Sequence, residues 1–121
     1  MKKSVDEIVE YYEELGEKLL KADAKCDYRT DHKIDKIFIK YFKYFEKNEE
    51  IGHKCIDKLL CSKNIAIKLE AASYCLALNY NLDKGLEIFE KIANENIFMW
   101  SLTAKYTLKE YKEKGCLKIY K

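Results

Sequence analysis

Asp27, Tyr28, Asp31, His32 and Asp35 form the densest group of chemically capable side chains in the sequence. Asp27, Asp31 and Asp35 recur every fourth residue, which stacks them one turn apart on a helix with His32 beside them. Carboxylates next to a histidine suit a divalent cation, a small molecule or general-base work. Ordinary helix-start chemistry explains the same residues more simply: Asp27 suits an N-cap, and acidic residues favour a first turn. Asp31 is the exception, because it projects near the apolar side of its helix, where an unpaired carboxylate is costly. If buried, it should meet a tyrosine hydroxyl, Arg29 or a capping N–H. No metal and no cofactor are assigned on this sequence.

The second group is a ridge of cations, Arg29, Lys33, Lys36, Lys40, Lys43 and Lys47. It shares a helix with the apolar stripe Ile34, Ile37, Phe38, Tyr41, Phe42 and Phe45. At about 100° per residue the two stripes sit roughly 150° apart, one buried and one exposed. A lysine ridge can track phosphates, so this basic face could bind nucleic acid. Against that, the net charge is only +2 and Arg29 is the single arginine, the side chain best suited to reading phosphates and bases. A solvated face is the stronger reading.

Other reactive residues are scattered. The five cysteines, Cys26, Cys55, Cys61, Cys75 and Cys116, form no CxxC pair. With only His32 and His53 available, the paired spacing of a zinc site is missing. Cys61 and Cys116 have no histidine beside them in sequence to act as a base. Glycine-rich phosphate loops, nucleophile elbows and zinc-protease helices do not occur. Of the ten tyrosines, Tyr12, Tyr41 and Tyr111 fall on inward stripes; Tyr11, Tyr44, Tyr74, Tyr80 and Tyr106 are less clearly inward and are candidates for a contact surface.

The elements that must position these residues are helical. The chain of 121 residues has no proline and four glycines, too few turn formers for a strand-rich fold. Hydrophobic residues at 48% and charged residues at 36% suit one globular domain, 1–121, with a short tail over 115–121. Apolar runs are far too short for a membrane span, and the start turns acidic where a signal peptide would turn apolar. A cytoplasmic location is expected.

Ser4 and Glu7 make a capping box for a first helix carrying Val5, Ile8, Val9, Tyr12, Leu15 and Leu19 on one face. A link near Lys21–Asp27 precedes the helix with the two ridges. Asn48, Asn64 and Asn81 are expected to open the third, fourth and fifth helices. The fourth, Ile65–Leu78, is apolar almost all round and belongs in the middle. A last helix from about Ile97 to Lys114 ends at Gly115. The class is all-α, with about six helices.

Leu59-Leu60, a polar corner, Ile67-Lys68 and Ala71-Ala72 resemble the consensus of HEAT-type helical repeats. Lys68 stands where that repeat usually has arginine, and Cys61 where aspartate is common, so no Asp–Arg ladder is carried over. Asp27-Tyr28, the Ala-Ala helix and Leu108-Lys109-Glu110-Tyr111 before Gly115 extend the likeness across most of the chain. They resemble a family of small bacterial HEAT-like domains of unknown function. The resemblance implies a right-handed α-solenoid of three antiparallel hairpins. It brings no established activity, only an occurrence near toxin genes that suggests an immunity role.

Charge is unevenly distributed. Residues 1–17 carry two lysines against six carboxylates, a net −4, and residues 18–47 carry nine basic and five acidic groups, a net +4. Such a dipolar surface steers a charged partner. The expectation is a non-enzymatic protein–protein interaction module, an immunity or regulatory protein of a bacterial toxin or stress system, acting as a monomer or weak dimer. Nucleic-acid binding on the basic face is the first alternative. A metal or small-molecule site at Asp27–Asp35 is the second.

Overall fold

The computed structural model describes residues 3–119. Six helices follow one another: α1 (Val5–Lys25), α2 (Tyr28–Lys47), α3 (Glu49–Leu59), α4 (Ile65–Leu78), α5 (Leu82–Asn94) and α6 (Phe98–Lys114). There is no strand among the described residues.

The capping box forms as expected: Glu7 N–H donates to Ser4 Oγ at 3.2 Å and Ser4 N–H to Glu7 Oε1 at 3.1 Å. Beyond it, α1 runs further than its sequence suggests, through most of the expected link. It stops where Cys26 turns left-handed at φ 55°, leaving only Cys26 and Asp27 before α2. No glycine or proline marks that stop. Asn64 caps α4 through Ala66 N–H at 2.9 Å and Ile67 N–H at 3.3 Å. Asn48 and Asn81 precede α3 and α5 but do not cap them with their side chains. The Asn48 amide donates back to the Tyr44 carbonyl at 3.0 Å, so it closes α2 instead. The Asn81 amide donates across to Asp57 Oδ1 at 3.4 Å.

α4 is the hub, packing on α1, α3, α5 and α6. Ala71 and Ala72 are fully buried in it, and two neighbours come close through glycine. A Cβ on Gly85 of α5 would lie 2.8 Å from Cys75 Cβ and 3.2 Å from the Ala72 carbonyl oxygen. One on Gly16 of α1 would lie 2.5 Å from Ile67 Cγ1. Neither helix could sit where it does with a larger residue there.

Where α1, α2 and α4 meet, aromatic rings fill the core. Tyr12 stacks on Phe38 at 5.1 Å between centroids and meets Tyr41 edge-on at 5.6 Å. Tyr74 of α4 lies against Phe42 at 5.2 Å and Phe45 at 6.0 Å. Geometry of this kind adds about 0.5–1.5 kcal/mol per pair beyond area burial. Tyr74 is therefore core, not contact surface. Its hydroxyl lies 2.9 Å from that of Tyr12, and burial pushes the Tyr12 phenol well above its usual range.

At the far end, Ser101 joins α5 to α6. Its hydroxyl donates to the Ile92 carbonyl and accepts from Ile97 N–H, both at 2.6 Å. In the tail, Leu117 is buried against the core.

Candidate functional site: an acidic cleft at the start of α2

The short link between α1 and α2 folds the last turn of one helix against the first turn of the next. Asp27 sits in the link as the α2 N-cap. It accepts from Thr30 N–H at 3.2 Å and from the Thr30 hydroxyl at 2.7 Å. Those bonds hold the Asp27 carboxyl below its ordinary range. Asp27 therefore has a structural role, and helix-start chemistry accounts for it.

Asp31 differs. It is half-buried, and its Oδ1 is sealed from solvent without a hydrogen-bond partner among the described residues. None of the partners expected for it, a tyrosine hydroxyl, Arg29 or a capping N–H, reaches that oxygen. The group beside it is another carboxyl, Asp23 from the last turn of α1. Burial raises the Asp23 pKa to about 6, helped by hydrogen bonding to Asp31 and by the charges of Asp31 and Asp35. Two ionised carboxylates are acceptors only, so a bond between them exists when one holds a proton. Asp35 is shifted upward too, by burial and the Asp31 charge, with His32 pulling the other way. His32 itself is exposed.

Asp23 and Asp31 line a cleft of about 600 Å³. One wall is Leu20, Ala24, Cys26 and Tyr28; the other is Met99, Trp100 and Thr103 from the start of α6. The cleft is thus bounded by three helix ends, with both carboxyls on the α1 and α2 side and apolar or aromatic groups on both walls. Two kinds of chemistry suit it. The acid pair exchanges a proton near pH 6, and it can pair with a cation whose hydrocarbon lies on Met99 and Trp100. Among the described residues, no three histidine, cysteine, aspartate or glutamate side chains are grouped to hold a metal ion.

Among the described residues, Tyr28, Met99, Leu102 and Tyr106 are the large hydrophobic side chains that stay exposed, at 76%, 61%, 52% and 64%. Tyr28 and Met99 line the cleft, and Leu102 and Tyr106 continue from Met99 along α6 at i+3 and i+7. Ser101, Ala104 and Leu108 occupy the buried face of the same helix. α6 is consequently apolar on two nearly opposite faces, one packed and one open.

Of the cluster Asp27, Tyr28, Asp31, His32 and Asp35, Tyr28 and Asp31 line the cleft and the other three do not; Tyr106, a separate candidate for a contact surface, is exposed on α6. Sequence reasoning missed Asp23 and the Met99–Leu102 stripe. Both carried a signal: an aspartate in a helix's last turn opposes the macrodipole, and 99, 102 and 106 keep helical spacing.

The basic face, Arg29, Lys33, Lys36, Lys40, Lys43 and Lys47, is exposed throughout, and none of the six makes an ion pair with another described residue. The cysteines are all free, with Cys55 and Cys75 buried and pushed up to about 11 and about 12 by that burial. Tyr80 donates its hydroxyl to Asp57 Oδ2 at 2.7 Å and stacks on His53 at 3.7 Å, which ties the end of α4 to α3.

No family model matches the chain, and no curated protein or solved structure does either.

Proposed function

We propose that this chain is a non-enzymatic protein-binding module whose contact surface is the acidic cleft together with the open face of α6. The observation that carries the reading is the exposed apolar row Met99, Leu102 and Tyr106 leading into a cleft with an unpartnered carboxylate oxygen. Exposed apolar rows of this kind mark contact surfaces. Charge complementarity names the occupant: a protein segment with apolar residues for the α6 face and one lysine or arginine for Asp23 and Asp31.

In this reading the six helices form three antiparallel hairpins of a HEAT-like, right-handed solenoid. The close-packed Ala71 and Ala72 support that arrangement, as does the central position of α4. The specific form is a cytoplasmic immunity or regulatory protein of a bacterial toxin or stress system, present as a monomer or weak dimer. Support for that form comes only from the resemblance of the helical pattern.

Purification of the full chain from its native host tests the reading. Wild type should retain a partner protein that Leu102→Asp releases, with the melting temperature of the free chain unchanged. Asp31→Asn should weaken the complex about tenfold or more, the effect of losing one charged contact. A chain that purifies with no stable partner would count against the proposal. Self-association abolished by Leu102→Asp would assign the α6 face to a second copy instead.

The basic face supports a second reading, nucleic-acid binding, because its six cations are exposed and make no ion pairs with described residues. Affinity for DNA or RNA should then fall steeply with salt and vanish when Lys36, Lys40 and Lys43 become glutamate. An absence of binding at low salt ends it.

A further inference from the structure

A second concavity, of about 300 Å³ and sharing no lining residue with the cleft, lies between the start of α4 and α5. Its floor is apolar: Leu60, Ile88 and Ile92 are buried, and Ile65 and Ile97 flank them half-buried. The floor is held in place by Ser101, whose hydroxyl bridges the Ile92 carbonyl and Ile97 N–H. The rim is basic. Lys63, Lys68, Lys84 and Lys91 surround the floor against only Glu87 and Glu95.

The cations on this rim are weakly engaged. Lys84 reaches Glu87 only at 3.8 Å, and Lys63, Lys68 and Lys91 make no ion pair with a described residue. Lys68 stands out further. Among the described residues it is the single lysine that is half-buried, every other being exposed. Lysine stems add hydrocarbon to the floor while their heads stay at the rim.

We propose that this groove binds a small anion bearing a single apolar tail. A carboxylate or phosphate head would lie among Lys63, Lys68 and Lys91, with its hydrocarbon on Leu60, Ile88 and Ile92. The volume is at the low end for small-molecule sites, which selects a slim ligand. Among the described residues no aromatic side chain lines the groove, and none of them there offers a platform for stacking a nucleobase. The site is separate from the acidic cleft and takes the opposite charge.

Titration of the full chain, followed through backbone amide resonances, tests the assignment with four probes. Octanoate and octyl phosphate carry the two heads on one tail. Inorganic phosphate is a head without a tail, and octyltrimethylammonium is the tail with the opposite charge. At least one of the first two should shift residues 63–68 and 84–97 saturably, and the tighter one identifies the head. Inorganic phosphate and octyltrimethylammonium should bind about tenfold more weakly or worse. Lys68→Gln combined with Lys91→Gln should weaken the tailed anion by about tenfold or more, with an unchanged melting temperature. The proposal is overturned if neither tailed anion shifts these residues, if either control binds equally well, or if the double variant keeps full affinity.

Discussion

Two pairs of polar side chains hang from α1 about three turns apart, and they behave in opposite ways. Tyr12 meets Tyr74 at 2.9 Å inside the aromatic core. Asp23 meets Asp31 at the edge of a cleft. A phenol both donates and accepts, so one hydroxyl donates to the other while both stay neutral. Two carboxylates only accept, so they need a shared proton or a cation. The first pair can therefore be closed into a core, whereas the second makes sense beside an opening. The lesson is that two neutral phenols can be sealed into a core, whereas two carboxyls sit at an opening, Asp23 exposed and Asp31 half-buried.

The comparison breaks most visibly at Tyr12. Tyr12→Ala should cost about 3–5 kcal/mol, since a fully buried ring that touches Phe38, Tyr41, Phe45 and Tyr74 leaves a cavity. Tyr12→Phe keeps the ring and removes one hydroxyl from the pair, and about 0.5–1.5 kcal/mol should be lost. Urea denaturation of the two variants separates packing from hydrogen bonding. A Tyr12→Phe variant as stable as wild type would mean the hydroxyl contact contributes nothing.

The acid pair should respond in the other direction, and by less. The folded Asp23 pKa of about 6 is raised above its ordinary 3.8, so its contribution to stability is fully present below 3.8 and lost as pH rises through 6. Asp23→Asn should then melt higher than wild type near neutral pH. The gain should shrink through pH 6 and disappear below 3.8. Thermal melts across that window check the sign, and a variant less stable than wild type at neutral pH would show that the pair is not repulsive.

Much of the fold could be read residue by residue. The Ser4–Glu7 box, the Asn64 cap, the stripe from Ile34 to Phe45 and the Gly115 stop are local signals, and each lies where its pattern points. The misreadings have separate causes. Cys26 ends α1 in a left-handed conformation that glycine would normally signal, so Asp23 was placed in a link and not on a helix. Asn48 and Asn81 have the right type for N-caps, but their amides found better acceptors at Tyr44 and Asp57. Tyr74 looked ambiguous because its helix is apolar nearly all round, and only the arrival of Tyr12 settled its place.

By itself, then, the sequence determined which segments are helical, which helix lies at the centre and which face of α2 is buried. Those follow from periodicity and capping, forces that act within a few residues. The tertiary structure alone decided that Asp23 meets Asp31, that α6 leaves one apolar face open beside them, and that four lysines ring an apolar floor at α4 and α5. Each of these depends on where one helix crosses another. That is set by close approaches such as Gly16 on Ile67 and Gly85 on Cys75, between residues far apart in the chain.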